Sequence, residues 1–331
     1  DFDREEVRFD IDENGHPVSV FFKESKDANK LIEEFMLLAN RTVAAEIGIP
    51  KQRKKPKAFV FRIHDAPDTT RLQDLATIAR TFGYKLKTNG TPREINRSIN
   101  KMLQDVKGKG EENLLSVLAI RSMAKAIYST DNIGHYGLGF EYYTHFTSPI
   151  RRYPDMMVHR LLERYLSGGR SVVHDKLEEQ CKHSSAMEQL AANAERSSIK
   201  YKQVEYMADR LGETYDGIIS GVTEWGLYVE LNENKCEGLV PIRDLADDYY
   251  DFDERNYSLV GRHTKTRYRL GDEVRIQVAR ANIERRMLDF ALLDDKGRPM
   301  SQPDKEPGAK EALRTSQSKR NKRQRYKNRK R

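Results

Sequence analysis

The chain has 331 residues, 37% hydrophobic and 33% charged, with a formal net charge of +8. This composition can fill two globular cores, while the lack of any run of about 18 apolar residues, and of a signal or transit pattern in the first residues, excludes membrane-spanning and secretory classes. With 2 cysteines, Cys181 and Cys236, neither a disulfide framework nor a cysteine zinc site is available, and a reducing cytoplasm fits.

Residues 1–23 alternate apolar and polar positions (Val7, Phe9, Ile11, then Val18, Val20, Phe22) around turn residues 12–15, which predicts a β-hairpin. Helical spacing of Leu31, Phe35, Leu38, Ala39 and Val43 predicts a helix over 27–48. Further amphipathic helices follow over 71–82, 93–103 and 111–127, interrupted by a basic loop at 51–57 and an extended stretch at 58–63. Segment 140–154 is aromatic and contains Pro149 and Pro154, so it reads as a loop feeding a helix over 155–166. A long helix over 175–211 comes next, stopped by Gly212. The apolar period then changes to two, giving candidate strands at 215–222, 225–231, 237–241, 273–281 and 287–292, with an acidic-aromatic insertion at 244–252. Five short strands in that space predict a small barrel of the OB type.

The last eighteen residues, 314–331, contain ten Lys/Arg and no acid, which leaves 49 basic and 51 acidic residues before them. The positive excess therefore sits in a terminal tail without apolar period, predicted to be disordered and suited to polyanions, or else a solubilising end. The fold class expected is α+β: a mostly helical part over 1–211, a five-stranded OB-fold barrel over 212–294, and a disordered basic tail over 295–331.

One stretch suggests chemistry directly. In Tyr143-Thr144-His145-Phe146-Thr147-Ser148-Pro149-Ile150-Arg151-Arg152-Tyr153-Pro154-Asp155, a proline-stiffened loop places two adjacent guanidinium groups at a helix N-terminus. That arrangement suits a phosphate, and equally an ion-paired surface. Histidines 64, 135, 145 and 159 match no helix-borne zinc motif and are assigned no chemistry. Two-metal hydrolysis of a phosphodiester requires a tight carboxylate cluster. Asp1 and Asp3 directly precede the hairpin, and Asp10/Asp12 and Asp247/Asp248 read as turn and loop residues, so no metal ligand is assigned.

The 143–155 stretch, with His159-Arg160, resembles the signature of the ribonuclease II and ribonuclease R family of 3′-to-5′ exoribonucleases, most like the ribonuclease R branch. Segments 30–40, 61–67, 121–128 and 134–139 extend the likeness to the later half of that family's RNB catalytic domain. The resemblance implies processive hydrolysis of RNA to nucleoside 5′-monophosphates by the complete protein, with Mg²⁺ held by an aspartate run that has no counterpart in this chain. It implies that Arg151 stabilises the transition state and that Glu195 lies near the scissile phosphate. Glu33 or Glu34, together with Asn40, would lie near the last nucleotide, where a carboxylate can accept from a 2′-hydroxyl. Arg152, next to Arg151 in the loop, is a further RNA-binding candidate.

Gly217, residues 222–231 and Glu237-Gly238-Leu239-Val240 are similar to the RNA-binding OB-fold named after ribosomal protein S-one. That likeness implies base stacking and backbone neutralisation by Trp225, Tyr228, Arg243, Arg280 and Arg285, with a core role as the alternative for Tyr228. Pro241 stands where that fold commonly has a histidine. Lys322, Arg323 and Arg325 represent the tail. The expected partner is single-stranded RNA, possible further ones being the ribosome or other RNA-decay components, for a monomeric cytoplasmic protein with no membrane contact. Two readings follow: the C-terminal portion of an exoribonuclease, which by itself binds RNA without cleaving it, or a non-catalytic RNA-binding protein.

Overall fold

Alternation at the start of the chain does build a hairpin. In the computed structural model, which describes residues 6–23, 26–49, 56–254 and 256–300, β1 (Glu6–Ile11) pairs antiparallel with β2 (Pro17–Lys23). The Asp12 carboxylate closes the turn by accepting from the backbone N–H groups of Asn14 and His16. The tail residues Lys322, Arg323 and Arg325, like Asp1 and Asp3, lie outside the described residues.

Helix α1 (Asp27–Gly48) follows, then β3 (Phe61–Ile63), α2 (Thr69–Thr81), α3 (Pro92–Val106), α4 (Glu112–Ser122), β4 (Ile127–Ser129), α5 (Tyr153–Leu166) and α6 (His174–Ala208). Local chemistry fixes several starts. Asp68 accepts from the Arg71 N–H to cap α2, and Thr91 forms a reciprocal capping box with Glu94 ahead of Pro92, each cap contributing about 1 kcal/mol. The helix predicted over 111–127 ends instead at Ser122, because Ile127 and Tyr128 pair with β3 and the Tyr128 ring is buried there. Gly48 ends α1 against Tyr142: a Cβ at this position would stand 2.5 Å from the tyrosine ring.

Apolar packing divides the described residues into two cores. One gathers Ala44 of α1, Phe59 to Phe61, Tyr128, Met157, Val158 and Leu161 of α5, and Leu177 and Cys181 of α6. In the other, α2, α3 and α4 (Leu72, Leu75, Ile99, Met102, Leu115) pack with the barrel and with Val204 and Met207 of α6. The 35-residue α6, about 50 Å long, is thus a strut between the two cores. The predicted helix α1 is present, but Leu31, Phe35 and Leu38 of its apolar stripe, with Ile32, are 58–61% exposed.

The barrel is built from β5 (Thr214–Thr223), β6 (Gly226–Leu231), β7 (Glu237–Pro241), and two later strands. Between them, the predicted insertion at 244–252 runs into β8 (Tyr250–Asp253), which with β9 (Ser258–Gly261) and β10 (Arg267–Arg269), both unassigned from the sequence, forms a three-stranded antiparallel sheet. Strands of three or four residues are too short to announce themselves by alternation. They are held by Leu259, fully buried, between the half-buried Phe252 and Tyr268 in the cross-strand register. With β11 (Glu273–Asn282) and β12 (Met287–Leu292) the barrel closes in the order β11-β12-β7-β6-β5, and only the β7–β12 pair is parallel. This is the five-stranded OB arrangement expected from the sequence. Residues 295–300, assigned to the tail by the sequence, instead turn back on the barrel, where Met300 donates its N–H to the Leu292 carbonyl at 2.8 Å.

Candidate nucleic-acid interface

The loop carrying Arg151 is irregular yet fixed from three sides. From the first core, the Val60 carbonyl accepts from Thr144 Oγ1 at 2.7 Å and the Arg62 N–H donates to the Tyr143 carbonyl at 2.9 Å. From α1, buried Asn40 donates to the Tyr143 hydroxyl and accepts from the Phe146 N–H at 2.9 Å. From α5, His159 stacks on Phe146 at 4.1 Å and bonds its carbonyl, while Asp155 accepts from the Ser148 N–H at 2.8 Å. Backbone polar groups that no regular ladder satisfies are thereby paired, and the loop projects Ile150 and Arg151 into solvent.

The two arginines are not equivalent. Arg151 is exposed, and no described residue forms an ion pair with its guanidinium. Arg152 turns inward, its side chain 21% exposed, and donates to Asp155 Oδ1 at 2.9 Å. The adjacent pair expected to grip one phosphate is therefore split: one arginine faces outward and the other anchors the loop. Asn40, expected near the last nucleotide, is likewise spent on positioning the loop.

Beneath the loop, burial holds His145 and His135 neutral. Burial, reinforced by Arg152 and Arg62, pushes His145 down to about 3, and its Nδ1 shares a hydrogen bond of 2.8 Å with the Tyr128 hydroxyl. Burial, with His64 stacked at 5.1 Å, lowers His135 to about 4. Neither supplies a cation at neutral pH. His145 takes up its proton near 6.5 when unfolded but only near 3 when folded, so stability present above about pH 6.5 is lost as pH falls from there towards 3. Thermal melts of wild type and His145→Gln between about pH 7.5 and 4 test this: the stability advantage of the wild type should shrink on acidification. A constant difference would remove His145 as the group responsible.

Glu195 is exposed on α6, two turns beyond Glu188, which holds Arg62 through two bonds of 2.6 and 3.1 Å. The structure does not link Glu195 to Arg151 by a hydrogen bond. Glu33 and Glu34 are both exposed on α1, and geometry does not choose between them. The carboxylates near turns are committed locally: Asp10 to Ser19, Asp12 to its own turn, and Asp248 to His263 and Thr264. Among the described residues no three His, Cys, Asp or Glu side chains converge as metal ligands.

On the barrel, Leu227, Val229 and Leu231 point inward along β6 and leave Tyr228 on the outside, 36% exposed, which decides against a core role. Trp225 is 68% exposed at the β5–β6 turn, and its carbonyl accepts from the Ile242 N–H at 2.9 Å. Gly226 makes this turn possible, with φ +146° and a hypothetical Cβ only 2.1 Å from the Val240 carbonyl oxygen. Arg243 is close by and exposed, 3.6 Å from Asp244. Cross-strand register sets Arg280, Asp289, Leu239 and Tyr228 in one outward row, so Arg280 stands three strands, about 14 Å, from Tyr228. Arg285 is exposed in the β11–β12 turn, its N–H bonded to Asn282. Sequence reasoning missed Asp155 as the anchor and Tyr249 as an exposed aromatic; the Asp at the start of α5 was the one available signal for the former.

Residues 1–168 match the model described as RNB domain, and residues 208–292 match the S1 RNA binding domain. Ribonuclease R of Aquifex aeolicus is 41% identical over 302 residues, covering 89% of this chain and 41% of that protein. The chain thus spans well under half the length of this curated relative. Mycoplasma genitalium RNase R in complex with ribose methylated single-stranded RNA superposes with a TM-score of 0.80 at 27% identity, over 88% of this chain and 46% of the other. The same protein in complex with double-stranded RNA gives a TM-score of 0.70 at 25% identity, with the same coverage.

Proposed function

The chain belongs to the RNB-domain family, and on that premise we propose that it is the RNA-holding C-terminal portion of a 3′-to-5′ exoribonuclease of the ribonuclease R kind. The observation that carries this reading is the joining, by one helix, of an exposed Arg151 on a pinned loop to a barrel with outward Trp225 and Tyr228. In the complete enzyme Arg151 faces the charge that develops on the scissile phosphate, Glu195 stands near that phosphate, and Glu33 or Glu34 reads the terminal 2′-hydroxyl. The barrel receives single-stranded RNA by stacking, and the basic tail adds sequence-independent attraction to phosphate. Mg²⁺ would be held by carboxylates that the described residues do not bring together. Buried free thiols at Cys181 and Cys236, both pushed up to about 12 by burial, suit a reducing cytoplasm.

Alone, the chain binds RNA without degrading it. The second reading, a non-catalytic RNA-binding protein, draws support from the local commitment of Asp10, Asp12 and Asp248. Purified chain incubated with a labelled oligoribonucleotide and Mg²⁺ should bind it and release no mononucleotides; their release would overturn the expected inactivity. Trp225→Ala should weaken that binding by about 1–3 kcal/mol, roughly five- to 150-fold, as for loss of one stacked base. An unchanged isotherm would remove Trp225 from the interface.

A further inference from the structure

We propose that the β8–β10 sheet is a second RNA-contacting element, in which Lys265 and Arg267 of the β9–β10 hairpin hold phosphates and Tyr249 offers a stacking face. This rests on the reading of the chain as an RNA-binding protein. The location follows from how the insertion is rooted. It leaves the barrel where the Ile242 N–H bonds the Trp225 carbonyl, and returns where the Gly271 N–H bonds the Ile219 carbonyl at 2.8 Å. One root thus lies at the Trp225 turn and the other midway along β5, on the strand that leads into that turn.

The hairpin is organised around one carboxylate. Asp248, with its side chain 1% exposed, accepts from the N–H groups of Tyr249, His263 and Thr264, from His263 Nδ1 and from Thr264 Oγ1, all between 2.7 and 2.8 Å. This network holds Lys265 at the tip with φ +59°, a conformation unfavourable for a lysine. The tip residues Arg262 to Arg267 are all exposed. Register separates the charges across the sheet: Asp251, Val260 and Arg267 form one row, so the acidic β8 edge lies two strands, about 10 Å, from the basic β10 edge. Asp251 is occupied by Arg262 through bonds of 2.9 and 2.7 Å, and the Arg269 N–H is bonded to Asp272. Lys265 and Arg267 form no ion pair with a described residue. Tyr249, 74% exposed, follows Asp248 directly and its carbonyl accepts from the Arg262 N–H.

Basic residues on an edge strand also discourage strand addition by other chains. That explanation covers Arg267 but neither the constrained lysine at the tip nor the exposed tyrosine at the β8 edge. Cations without an ion pair on one side of a small sheet and an accessible ring on the other match single-stranded RNA, which offers both phosphates and bases along its length.

The test uses the complete chain and a labelled oligouridylate of about 12 nucleotides, within the range of site sizes for OB folds. Binding is titrated at several salt concentrations for wild type, Lys265→Asn/Arg267→Gln and Tyr249→Ala, with melting temperatures confirming the fold. Asparagine tolerates the left-handed backbone at 265. The double variant should flatten the logarithmic salt slope by about 1.4 units, at about 0.7 for each phosphate left without its cation. Tyr249→Ala should bind about fivefold or more weakly at every salt concentration, with the slope unchanged. Wild-type isotherms from both variants would overturn the proposal, as would self-association of the double variant with an unchanged slope, which would assign the charges to edge protection. Absence of binding by the wild type would instead overturn the underlying RNA-binding reading.

Discussion

Arg151→Ala, introduced into a protein carrying the whole RNB domain, should slow turnover by about a hundred- to a thousandfold while leaving RNA affinity nearly unchanged. The expectation follows from the position of the side chain. Its loop is fixed by Asn40, Thr144, Asp155 and His159, so the backbone that presents the guanidinium is held in place although the side chain forms no ion pair with a described residue. A cation arranged in advance stabilises charge that appears only in the transition state, and a group of that kind affects the chemical step more than ground-state binding. Arg151→Lys should recover little, because an ammonium cannot reproduce the planar two-point contact of a guanidinium. Single-turnover rates and equilibrium binding constants for both variants decide the matter. A variant defective mainly in affinity would make Arg151 an ordinary phosphate ligand.

Asp155→Ala should cost the folded chain about 3 kcal/mol, because removing one member of a buried ion pair leaves the other charge without compensation. Asp155 is fully buried in the first turn of α5, where a carboxylate also suits the positive end of the helix dipole. Its Oδ1 receives both the Ser148 N–H and the Arg152 guanidinium, so one substitution releases the loop and strands the arginine. Asp155→Asn provides the control: its carbonyl can still accept from Ser148, but the charge facing Arg152 is gone. Denaturant unfolding of the three proteins should rank wild type above Asn and Asn above Ala. Equal stability of Ala and wild type would show that the pair contributes nothing. In the complete protein Asp155→Ala should also reduce turnover, since Arg151 loses its fixed platform.

Periodicity and turn chemistry in the sequence determined the hairpin, the helices and the five barrel strands, because each of these depends on neighbours a few residues apart. Val222 to Leu231 shows the limit of such patterns. Alternation identifies β6 and its outward Tyr228, whereas the exposure of Trp225 depends on Gly226 lying against the Val240 carbonyl, a contact made across strands. The same limit explains the helix drawn through Ile127, which a partner more than sixty residues earlier converts into a strand. The 143–155 stretch offered Arg151 and Arg152 together, since in one dimension they are simply adjacent, and the family resemblance implied a transition-state role for Arg151. Only the tertiary structure decided that one faces solvent and the other pairs with Asp155, because at the entry to α5 the backbone turns one side chain outward and the next towards the core. It likewise decided that α2, α3 and α4 share their core with the barrel rather than with the Arg151 loop. Those helices present apolar stripes that would fit either neighbour, and only the packed structure shows them sharing one core with the barrel and with Val204 and Met207 of α6.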